Sequence, residues 1–97
     1  MRDLASVKQA VKETFSRLFN HVHVSEVRIR EDTDSDGDAV LRIDVIFDGT
    51  SNDLDPKKLA GFVGHLRPRL EQMQETALPL LYFISSAELN RNKRASA

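Results

Sequence analysis

Three groups of residues in this chain have the types and spacing for chemistry. The first is the acidic run Asp32-Thr-Asp-Ser-Asp-Gly-Asp38. Carboxylates at alternate positions followed by Gly37 match the first half of a calcium-binding EF-hand loop. The second half does not match, because Ile43 stands at the twelfth position, where a bidentate carboxylate is needed. A solvated turn is the default, and the metal reading puts Asp32, Asp34, Asp36 and Asp38 around one cation. The second group is His21-Val-His23. Alternate residues of a strand share a face, so two imidazoles there could chelate a metal. His65 is distant in sequence, which leaves the pair without a third ligand and makes a polar lead-in to a strand the simpler reading. The third group is Lys57, Lys58, Gly61, Gly64, His65, Arg67 and Arg69. Cations around a Gly-x-x-Gly can contact phosphates without reading bases.

Catalytic patterns are not evident. There is no Gly-x-Ser-x-Gly elbow and no Gly-rich phosphate loop ending in Lys. The serines fall in caps and loops, and the carboxylates fall on turns or outward positions. Cys is absent, which excludes disulfides and thiolate metal sites. We expect a protein that is not an enzyme and uses no cofactor.

Residues 24–47 position the acidic run, as a β-hairpin. Leu41, Ile43, Val45 and Phe47 alternate with Arg42, Asp44 and Ile46, a period-two pattern. The preceding strand turns Val27 and Ile29 inward and Glu26, Arg28 and Arg30 outward. A two-residue Asp36-Gly37 turn would pair Ile29 with Asp44, sending side chains to the wrong face. A three-residue loop, Ser35-Asp36-Gly37, pairs Ile29 with Ile43, Val27 with Val45 and Arg28 with Asp44. That loop needs a left-handed residue at its third position, which Gly37 supplies. The apolar parity flips between Val24 and Val27, predicting a bulge near Ser25 or a strand beginning at Val24.

Residues 3–20 form an amphipathic helix through Leu4, Val7, Val11, Phe15, Leu18 and Phe19. Asp3 is its N-cap and Asn20 its left-handed C-terminal residue. After a turn-rich loop over 48–53, Asp55 and Pro56 open a second helix, with Leu54 and Leu59 as a hydrophobic staple. Its stripe is Leu59, Phe62, Val63, Leu66, Leu70 and Met73. Pro68 interrupts it, predicting a kink or break between Gly61 and Pro68.

Residues 77–85 form a third strand with apolar residues on both parities: Leu78, Leu80, Tyr82 and Ile84 on one, Leu81 and Phe83 on the other. An antiparallel strand with one wet face does not read this way. The pattern predicts either a central strand or a second face covered by another chain, with Leu78, Leu80, Leu81, Tyr82, Phe83 and Ile84 as the interface. Ser85-Ser-Ala-Glu88 is a capping-box pattern that starts a short C-terminal helix. Residues 91–97 read as a basic, frayed tail on a single domain spanning 1–90.

The expected class is α+β, in α-β-β-α-β order. A three-stranded sheet carries two helices on one face and a short C-terminal helix. A chain of 97 residues with 40% hydrophobic residues buries one modest core. A net charge of −1 gives no global bias toward nucleic acid or membranes. Neither a signal-peptide pattern nor a bilayer-spanning run is present. The expected setting is intracellular, in the cytoplasm, with no membrane partner.

Gly61-Phe-Val-Gly64 within an interrupted helix, in this element order, resembles a type II K-homology (KH) domain. The runs Leu59-Ala-Gly-Phe62, Leu66-Arg-Pro-Arg-Leu70 and Pro79-Leu-Leu-Tyr-Phe83 are similar to the second half of the ribosome-binding factor A family. That resemblance implies a loop between two helices that clamps a single-stranded RNA backbone. In KH loops the two middle residues are usually basic or polar. Here they are Phe62 and Val63, on the core stripe. The leading expectation is a non-enzymatic protein-interaction module that self-associates or binds a protein through its third strand. KH-like RNA binding is the alternative, and a calcium-binding acidic turn is the third.

Overall fold

The computed structural model describes residues 3–89. The tail expected over 91–97 lies outside them. The elements are α1 (Leu4–Leu18), β1 (Val24–Thr33), β2 (Ala39–Phe47), α2 (Pro56–Ala60), α3 (Phe62–Gln72) and β3 (Leu78–Ser85), with a 3-10 turn at Ser51–Asp53. A helical segment follows over 86–89. This is the expected α+β order.

The hairpin has the register that the side-chain period requires. Val27 faces Val45, Arg28 faces Asp44 and Ile29 faces Ile43. The Gly37 N–H donates to the Asp34 carbonyl, and Gly37 sits at φ 84°. The register shifts between Val24 and Glu26, so β1 begins at Val24 and also carries the bulge at Ser25. A Cβ at Gly37 would meet nothing within 4 Å, so substitution there is limited by backbone conformation and not by space. Gly37→Val should cost about 1–2 kcal/mol, the penalty of a left-handed L-residue. The thermal midpoint should fall by roughly 5–15 °C. An unchanged midpoint in a thermal melt would rule out the left-handed turn.

Strand order corrects one expectation. The sheet runs β1-β2-β3, so β2 is central and β3 is an edge. β3 lies parallel to β2, with Ile43 facing Leu81 and Phe47 facing Ser85. A parallel neighbour needs a crossover, and α2 with α3 provides it. Past the bulge at Ser25, the odd-numbered positions of the three strands form the face turned toward the helices.

The core lies between that face and α1 and α3. Val7, Ala10, Val11 and Phe15 of α1 and Phe62, Leu66 and Leu70 of α3 bury onto Val27, Leu41, Ile43, Val45 and Phe47. Phe15 is its hub. Its ring lies 4.9 Å from Phe19, 6.3 Å from Phe47, 6.5 Å from Phe62 and 6.2 Å from Phe83 between centroids.

The Asp3 side chain accepts from the Ser6 N–H and hydroxyl, capping α1 and holding its own carboxyl below the usual range. The far end of α1 differs from expectation. Asn20 is not left-handed. The helix stops at Leu18, and the Phe19 N–H bonds the Phe15 carbonyl at φ −127°. That turns Phe19 into the core, where it is buried against Phe15.

Asp55 caps α2 by accepting from the Lys57 N–H, with Pro56 at the first helical position. The expected break falls at Gly61, and α3 runs on through Pro68. Ser85 closes the last strand. Its hydroxyl donates to the Gly49 carbonyl and accepts from the Glu88 N–H, giving the expected cap.

Candidate interaction surface

The structure separates the sequence-selected groups. Asp34, Asp36 and Asp38 converge, with ligand atoms within 4.8 Å of one another. The Asp34 Oδ1 accepts from the backbone N–H of Asp36 and of Asp38, both at 2.9 Å. Turn geometry alone therefore accounts for its position. Asp32 stands apart, pairing with the Arg42 Nε at 3.2 Å. The two histidines do not share a strand, because β1 begins after them. The His21 ring nitrogen lies 3.3 Å from the Asp53 carbonyl, and both rings are exposed.

The basic group is split in the same way. Lys58 donates to the Leu18 carbonyl at 3.1 Å, satisfying the end of α1. Arg69 pairs with Glu13. The Gln9 amide and then the Arg69 guanidinium hold the Glu13 carboxyl below its usual range. No such bond engages Lys57, His65 or Arg67 among the described residues, and all three side chains are exposed. Gly61 is the exposed one-residue junction between α2 and α3, and Gly64 lies in the first turn of α3. The two glycines therefore do not bound a projecting loop. Phe62 between them is fully buried, its ring edge-on to Phe83 at 5.1 Å.

The open face of the sheet divides lengthwise. Its β1 side carries Glu26, Arg28, Arg30 and Asp32, with Glu26 and Arg28 paired at 3.0 Å. The central strand contributes Arg42 and Asp44. Its β3 side is uncharged: Leu78, Leu80, Tyr82 and Ile84. Leu78 and Tyr82 are each 46% exposed, and no other large hydrophobic residue stands out so among the described residues. Val40 and Ile46 of β2 are buried on this same face, outside the core cluster. Sequence reasoning assigned Ile46 to water, although its even parity beside Val40 was a visible signal. Of the six expected interface residues, Leu81 and Phe83 point to the core and are half-buried there.

The β3 edge is open in a particular way. Pro79 faces Leu41 in the ladder and has no N–H. The pairing must therefore run through the Leu41 N–H and carbonyl, which reach the Leu78 carbonyl and the Leu80 N–H. Alternation then turns the backbone N–H and carbonyl groups of Leu81 and Phe83 outward. Neither makes another backbone bond among the described residues.

No protein-family model, no curated protein and no solved structure matches the chain. Among the described residues, no helix is long and apolar enough to cross a membrane.

Proposed function

We propose that this chain is a non-enzymatic protein-interaction module that self-associates through the β3 side of its sheet. The supporting observation is the exposure of Leu78 and Tyr82 on one uncharged strand, on a face where the β1 side carries Glu26, Arg28, Arg30 and Asp32. Apolar surface gathered on one strand favours a protein contact over random scatter. A second copy fits because it presents the same uncharged stripe, and an isologous contact needs only self-complementarity. Sedimentation equilibrium of the wild-type chain and of Tyr82→Lys tests it. The variant should keep its circular dichroism and weaken self-association at least about tenfold, equivalent to about 1.4 kcal/mol. A wild-type chain that stays monomeric at millimolar concentration would overturn self-association.

RNA binding is the second reading. It is favoured by the break at Gly61, which leaves α3 without a side-chain cap. Gly61 and Gly64 are bare at that end and the exposed side chains of Lys57 and His65 belong to the adjoining turns, while Arg67 lies further along α3, beside Glu71 and Glu75. Removing Lys57 and Arg67 should then abolish binding to single-stranded RNA, and unaffected binding would exclude it.

A further inference from the structure

We infer that two copies of the chain join their β3 strands antiparallel about a two-fold axis at Leu81, forming one continuous six-stranded sheet. This rests on the self-association reading and specifies its geometry.

The two sheet edges differ. β1 carries Glu26, Arg28, Arg30, Glu31 and Asp32, the charges that commonly protect an edge from pairing. β3 has no charged residue over its length. Among the described residues its edge defence is Pro79, at the second position. Beyond Pro79, Leu81 and Phe83 present outward-facing backbone donors and acceptors. A depression at this edge is lined by Leu59, Leu81 and Phe83 on the helix side and by Tyr82 and Ile84 on the open side, and it reaches across the open face to Arg42 and Asp44 of β2 and Arg30 of β1.

Side chains choose the register. With the axis at Leu81, Leu80 faces the partner's Tyr82 and Leu78 faces the partner's Ile84. Both exposed residues of the stripe are then covered. An axis at Phe83 would leave Leu78 uncovered and run Leu80 into the helical segment that starts at residue 86. The Leu81 axis also makes Leu81 donate to the partner's Leu81 carbonyl, and Phe83 donate to the partner's Pro79 carbonyl. Pro79 is thus used as an acceptor, the one role its backbone retains.

Arg42 flanks Leu80 and Asp44 flanks Tyr82 within one chain, so the charged residues of β2 stay one strand back from the new seam and no like charges meet across it.

Amide-resolved hydrogen exchange on the full chain, at protein concentrations below and above the dissociation constant, tests this. The Leu80 and Tyr82 amides pair with β2 and should be protected at every concentration. The Leu81 and Phe83 amides should exchange at least about tenfold slower in the associated protein. If Tyr82→Lys abolishes association but Leu81 and Phe83 never gain protection, the sheets stack face to face. In that case self-association through β3 stands and the edge pairing fails. If the chain never associates, both fail.

Discussion

Phe15→Ala is expected to cost about 3–5 kcal/mol, the range for deleting a buried aromatic ring. The side chain is fully buried and lies against the rings of Phe19, Phe47, Phe62 and Phe83. Those four partners come from the end of α1, from β2, from α3 and from β3. One truncation therefore loosens every layer of the domain. The cavity cannot close by a small local shift, because its walls belong to separate elements. A domain with one sheet layer sits toward the lower part of the usual stability range of about 5–15 kcal/mol. The variant should consequently lose a large share of its folded population, with a thermal midpoint lower by roughly 15–30 °C. Urea unfolding measures this directly. A loss below about 1 kcal/mol would mean that the aromatic cluster does not organise the core.

The hairpin was legible in the sequence because its faces differ so clearly. Ile29 and Val27 must meet Ile43 and Val45, and only an odd-length loop with Gly37 at its end allows that. Asp3, Asp55 and Pro56 were equally readable, since caps depend on residue type at one position. The order of the strands was not legible. Leu78 to Ile84 is apolar on both parities, which a central strand and an edge strand with an uncovered face share. Pro79 held the missing information. A proline is tolerated where the N–H side of a strand faces outward, and that marks an edge.

Some helix ends escaped for a related reason. α3 ends with Gln74 left-handed at φ 60°. The Glu75 N–H returns to the Leu70 carbonyl and the Gln74 N–H to the Glu71 carbonyl. This is a Schellman closure without glycine or asparagine, so no residue type announced it. Asn20 announced one that does not form, because burying Phe19 beside Phe15 sets the end of α1. The basic group was legible as a list of cations but not as a surface. Lys58 and Arg69 are committed to α1, through the Leu18 carbonyl and Glu13, and only tertiary packing reveals that.

Pro68→Ala is expected to raise stability, against the usual direction of point substitutions. Pro68 is the seventh residue of α3, beyond the first turn where proline is tolerated. It has no N–H for the Gly64 carbonyl, and its ring crowds that same carbonyl. Proline costs about 3 kcal/mol relative to alanine in a helix interior. Two features let the helix continue. Gly64 and Pro68 are both exposed, so water can reach the orphaned carbonyl. Leu66 and Leu70, on either side in sequence, are both buried and hold the flanking turns on the sheet. Alanine would restore the hydrogen bond and remove the crowding, while a more flexible unfolded chain takes back about 0.4–1 kcal/mol. The net gain should be about 2 kcal/mol in urea unfolding. A loss of stability instead would mean that the ring supports a bend on which α3 depends to reach β3. The break at Gly61 and the strain at Pro68 would then be parts of one device.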